Sequence, residues 1–218
     1  MAGEMLPGPL GTEPPLAGAG ARSDAFRPGT GFEAPGPIGD DPIPLDDLRR
    51  IVKAVTKDWV PPAPRTTPEI VVQGKTLAQV GDELNKLSEW GQGGGVLRTD
   101  AISSGTSLTV TVNIHAGLIK RLPRWTKYAE ASPAVRAEWD QMFAKLTIHE
   151  NRHLEIAIEE AEALARDLIG VEIGEIADLV TAANQTMHTR QEQLDADSDH
   201  GARAGVPYGD VILDISIV

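Results

Sequence analysis

The chain has 218 residues and a formal net charge of −12, with 20 Lys and Arg against 32 Asp and Glu. That balance argues against wrapping a phosphate backbone, and aromatic residues at 4% offer little for base stacking, so no nucleic-acid partner is expected. There is no cysteine, which excludes disulfides, thiolate metal sites and thiol nucleophiles. Any metal must be held by His, Asp or Glu. The longest apolar stretches fall well short of the roughly 18–20 residues a spanning helix needs, so no membrane span is expected.

The first ten residues are acidic and broken by Pro7 and Pro9, so they do not read as a secretion signal. The expectation is a cytoplasmic protein or one exported by a non-classical route. Residues 1–44 are rich in Gly and Pro and show no apolar period, which predicts a disordered tail. Such a tail is either a solvated linker or a docking segment that reaches a partner through Phe26, Phe32 and Ile38. Residues 45–68 read as a short helix ending at Trp59, with Leu48, Ile51, Val52 and Val55 at i, i+3, i+4 and i+7, followed by a proline-rich linker. The folded domain is expected over residues 69–218.

Ile70–Gln73 reads as a strand and Thr76–Leu87 as a helix capped by Thr76. Gln92–Gly95 reads as a loop. Ser107–His115 alternates, with Leu108, Val110, Val112 and Ile114 on one side, and predicts a half-buried strand. Ser132-Pro133 is a helix start, and no Gly or Pro interrupts the pattern before Gly170. This predicts one helix of about 36 residues, about 54 Å long. A second helical pattern runs from about Glu172 to Asp195, with Ile173, Ile176, Val180, Ala183, Met187 and Leu194 inward. The two make an antiparallel hairpin. Val211–Val218 alternates and reads as a closing strand.

Within the first long helix stands His149-Glu150-Asn151-Arg152-His153, an HExxH pattern. Residues four apart on a helix lie one above the other, so both imidazoles can reach one ion. Zinc accepts such nitrogens and leaves a position open for water, and Glu150 lies where it can act as general base. Trp139, Leu146, Ala157, Leu164 and Leu168 define the apolar stripe of this helix. Glu150 and His153 fall on the stripe and His149 at its edge, so the motif faces inward. Burying these groups without partners is costly, and a metal ion would relieve that cost.

A third ligand is needed. Hairpin arithmetic brings His188 and Glu192 level with the motif, yet both fall far from the inner face of the second helix. His200 follows that helix in an acidic loop where Gly201 permits a sharp turn, and Asp195 could orient a ligand from behind. His115 on the alternating strand and Tyr208 beyond the loop are weaker candidates for oxyanion donors. The alternating strand itself is the candidate partner for an extended substrate.

Several segments together resemble a bacterial family described as predicted secreted zinc-dependent proteases. They are Leu122-Pro123-Arg124-Trp125, Trp139 with Phe143 and Leu146, the HExxH pattern, and Asp195-Ala196-Asp197-Ser198-Asp199-His200-Gly201. Gly74-Lys75-Thr76-Leu77 resembles the family's opening turn. The resemblance covers about residues 69–205. It departs from the pattern at Leu194, where the family has Tyr, and at Ser198, where it has Thr. It implies an α+β, zincin-like metallopeptidase domain with a small antiparallel sheet and the long helical hairpin. It also implies Zn2+ held by His149, His153 and His200, Glu150 as base, and a peptide or protein substrate. Two other readings fit the long tail: a non-catalytic scaffold that keeps this fold, or a cargo or effector protein that a secretion apparatus delivers through residues 1–44.

Overall fold

The computed structural model describes residues 50–59, 69–103 and 109–218. The tail expected over residues 1–44, the proline-rich stretch 60–68, and Ser107 and Leu108 lie outside the described residues. In chain order the elements are β1 (Ile51–Asp58), β2 (Ile70–Val72), α1 (Leu77–Leu84), β3 (Gln92–Gly94), β4 (Leu97–Ser103), β5 (Thr109–Ala116), β6 (Ile119–Arg121), β7 (Pro123–Trp125), α2 (Pro133–Asp167) and α3 (Ile176–Ser198). The class is α+β, with small sheets and two long helices. None of the described helices is long and apolar enough to cross a membrane.

The three-stranded sheet runs β1-β5-β4, and two further pairs are β2-β7 and β3-β6. Four corrections to the sequence reading follow. The expected helix before Trp59 is strand β1 over its described part. β1 pairs parallel with β5 while β4 pairs antiparallel, so the main sheet is mixed rather than antiparallel. The other edge of β1 is taken by the turn after α2, through Val52 N–H to Val171 O and Gly170 N–H to Val52 O, both 2.9 Å. Tertiary partners on both edges therefore override the helical spacing of Ile51, Val52 and Val55. Gln92–Gly94, expected as loop, is strand β3, antiparallel to β6. The closing segment after Val211 is in no strand, although Val211 and Leu213 are buried as its alternation requires.

Helix ends follow their caps. Ser132 is extended, its hydroxyl accepts from Val135 N–H, and Pro133 fills the first turn. Thr76 does the same for α1 through Gln79 N–H, but α1 stops at Leu84, three residues before the expected end. Gly170 then takes φ +88, the left-handed turn that reverses the chain between α2 and α3.

Two apolar cores share helix α2. The second half of α2, through Ile156, Ala157, Ala161, Leu164 and Leu168, packs with Val52, Val110, Val112 and Ile114 of the sheet and Ile176 and Met187 of α3. The first half, through Val135, Trp139, Met142 and Leu146, packs with Val72, α1, Trp125, Val211 and Leu213. Each large buried side chain on α2 contributes about 1.5–3 kcal/mol. His149, Glu150 and His153 fall between these cores, buried on both flanks.

Candidate metal centre

His149, Glu150 and His153 are 3%, 5% and 6% exposed, so the motif faces inward as its helical phase predicts. α3 runs back along α2, and Asp195, in its last turn, meets the two imidazoles. Asp195 Oδ1 lies 3.2 Å from His149 Nε2 and 3.1 Å from His153 Nε2, and the two Nε2 atoms are 3.2 Å apart. Three ligand-type atoms thus form a near-equilateral triangle. Ligands at about 2.0 Å in a tetrahedral set stand about 3.3 Å apart, so the triangle has the size of one face of a zinc polyhedron. Two imidazoles and one carboxylate are a catalytic-type donor set with a fourth position free. The residues fit such an ion.

The orientation of His149 is set from behind. Its Nδ1 donates to the carbonyl of Tyr208 at 3.0 Å, which leaves the Nε2 lone pair directed at the triangle. Gly201 lies against the same ring; a Cβ there would stand 3.4 Å from His149 Nδ1. His153 Nδ1 is buried and has no hydrogen-bond partner among the described residues. Burial opposes charge on Asp195, but in the cation-free protein protonated His149 and His153 hydrogen-bond to it, outweigh that burial and hold the carboxyl well below the usual range. Burial likewise opposes charge on His149. The bond to Asp195, the Glu150 charge and the Tyr208 carbonyl outweigh it and raise its pKa.

Glu150 is the opposite case. Burial pushes its pKa up to about 8, with His149 and Lys120 opposing and Glu89 and Asp195 adding. Strand β3 lies directly on it. A Cβ on Gly91 would meet Glu150 Oε1 at 2.5 Å, and one on Gly93 would meet the Glu150 carbonyl oxygen at 2.2 Å. Lys120, opposite Gly93 in the β3-β6 pair, is buried and donates to Asn151 Oδ1. Burial lowers its pKa and the Glu150 charge opposes that. The sequence reading missed Lys120 and Asn151. The run Gly93-Gly94-Gly95 is the sequence signal for this close backbone approach.

The other expected residues lie elsewhere. His200, expected as the third ligand, is outside the triangle. Its Nδ1 is 4.0 Å from Asp195 Oδ1 and its side chain is 59% exposed. Asp195, expected behind the ligands, stands in the third corner instead, because the last turn of α3 extends past it and ends only at Ser198. His115 sits on β5 between Ile114 and Ala116, whose side chains enter the core under α2. Alternation turns His115 to the far face of the sheet, where it bonds Asp58 and Asp100, so it cannot reach the triangle. β5 is the central strand with both edges paired, so it cannot receive a substrate strand. Tyr208 serves through its carbonyl, while its ring lies 5.8 Å under the Arg152 guanidinium. His188 and Glu192 pair with each other in solvent.

A family model described as a bacterial protein of unknown function (DUF922) matches residues 69–201, more than half of the chain and the whole of the triangle. No curated protein and no solved structure matches the chain.

Proposed function

The chain belongs to this bacterial family, and from that premise we propose that it is a zinc-dependent hydrolase acting on peptide bonds. One observation carries the reading: the triangle of buried His149 and His153 with half-buried Asp195, and Glu150 beside the two His on α2. Zinc would supply Lewis acidity toward a carbonyl oxygen and toward water. The protein's own groups do the rest. His149 and His153 present neutral nitrogens, with His149 held in the required tautomer by the Tyr208 carbonyl. Asp195 contributes one negative charge, so a divalent ion leaves the site net positive. A Glu150 carboxylate oxygen takes a proton from the attacking water and delivers it to the leaving amine nitrogen. Beside a bound cation Glu150 would give up its proton more readily than its raised, cation-free pKa allows, so that it can serve as the base.

The test is hydrolysis of an unstructured protein such as casein by zinc-loaded chain beside Glu150→Gln. Cleavage that stops in the variant while zinc remains bound supports the proposal. Cleavage at the same rate by both proteins, or none by the zinc-loaded wild type, rejects it.

A further inference from the structure

A separate cavity lies beside α2, toward its N-terminal end. The chain has only four Trp, two Tyr and three Phe, yet Trp125, Tyr128, Trp139 and Phe143 surround one open cavity of about 370 Å³. The rings are packed on one another, with Trp125 and Trp139 centres 5.6 Å apart and Trp139 and Phe143 stacked at 6.3 Å. None of the triangle residues lines this cavity. Of its charged residues, Arg124 is taken up by Glu69. Asp140 is exposed and accepts a 2.8 Å hydrogen bond from the Tyr128 hydroxyl. A phenol brings no charge, so Asp140 presents its negative charge at the mouth of an aromatic-walled space. The Arg136 guanidinium lies 6.0 Å from the centre of the Tyr128 ring, so the protein's own cation takes that ring and an incoming one is left to Asp140.

We propose that this cavity binds a lysine or arginine side chain of an extended polypeptide, its alkyl stem against Phe143 and Tyr128 and its cation at Asp140. Long basic side chains bury their stems on apolar surface while keeping the charge at a polar rim. The net charge of −12 favours approach of a basic chain. Phe143 and Glu150 are seven residues apart and lie on one face of α2, about 10 Å apart along its axis. An extended peptide covers that in about three residues. The inference rests on the peptidase reading only in calling the bound polypeptide a substrate.

The experiment uses the full chain carrying Glu150→Gln, so that nothing is cut. Short end-blocked Ala/Gly peptides with one central Lys, norleucine or Glu are titrated against tryptophan fluorescence and checked by calorimetry. The Lys peptide should bind about tenfold tighter than its norleucine twin, as a charge-assisted contact with the Asp140 carboxylate provides. The Glu peptide should bind weakest. Asp140→Asn should erase the Lys preference, and Phe143→Ala should weaken Lys and norleucine alike. Equal binding of Lys and norleucine, no binding of either, or a Lys preference that survives Asp140→Asn overturns the proposal. Zinc content is measured on the same samples. A Lys preference without zinc keeps this site and removes the peptidase reading; zinc with cleavage but no Lys preference does the reverse.

Discussion

Asp195 Oδ1 lies 3.1 Å from His153 Nε2, although 42 residues separate them in sequence. The antiparallel return of α3 makes that contact, which is the third corner of the proposed cation site. Chain purified without added metal should therefore carry about one zinc, read by elemental mass spectrometry. Asp195→Ala should lower zinc affinity by more than the roughly 10–100-fold that loss of an outer partner costs. His200→Ala should leave it nearly unchanged, since His200 is exposed and outside the triangle. The reverse pattern, with His200 required and Asp195 dispensable, would return the third position to the residue the sequence pointed to.

Glu150 contributes no atom to the triangle, so metal and chemistry should separate at this position. Glu150→Gln should keep about one zinc per chain and lose roughly 10²–10⁴-fold in kcat, the usual worth of a positioned general base. Side-by-side zinc analysis and peptide hydrolysis check it. A variant that loses zinc as readily as Asp195→Ala would make Glu150 a support for the ion instead.

The cation-free protein should lose stability as pH rises from about 5 to about 8. Glu150 keeps its proton in the fold up to about 8 but releases it near 4.5 when unfolded. The native state therefore binds more protons across that window, and stability falls with rising pH. His149, raised in the fold, acts in the same direction, its contribution being lost as pH climbs through its folded value. Asp195, lowered in the fold, stabilises above about 4 and loses its effect only in stronger acid. Chemical denaturation in chelator across this range tests it. Glu150→Gln should flatten much of the slope, and a wild-type profile that rises toward pH 8 contradicts the assignment.

The helical part of this fold was legible because its signals are local. Ser132, Pro133 and Gly170 mark the ends of α2, and the phase of Trp139, Leu146, Ala157 and Leu164 turns Glu150 and His153 inward. The sheet was legible only in part: alternation marks β5 through Val110, Val112 and Ile114, and Ile70 starts β2 as expected, but β1 does not show. Ile51, Val52 and Val55 fit a helical period by themselves, and only their neighbours in β5 and after α2 make them a strand. Val211 and Leu213 alternate because they enter the core beside α1 and α2, without any strand to pair with. For the third corner, the sequence pointed to His200, with Asp195 only behind it. His200 has the stronger metal chemistry, but Asp195 is still within α3, on the side facing the motif, while His200 lies past the helix end, in a left-handed turn that begins at Asp199 and includes His200 itself.

The contact between β3 and Glu150 gives the sharpest stability test. A methyl group on Gly93 would stand 2.2 Å from the Glu150 carbonyl oxygen, which is backbone inside a long helix and cannot step aside. Strand β3 would have to lift. Gly93→Ala should therefore cost at least the 1–3 kcal/mol typical of overpacking, lowering Tm by roughly 2–4 °C for each kcal/mol in a chain of this size. Gly91→Ala differs because its methyl would meet the Glu150 carboxylate, which can turn. That variant should lose more activity than stability. Gly205→Ala is the control: it meets nothing within 4 Å and bears only the cost of φ +72, about 1 kcal/mol. Denaturant unfolding of the three variants orders them. If Gly93→Ala proves as stable as Gly205→Ala, β3 does not lie on the Glu150 backbone, and the close cover over the site is wrong.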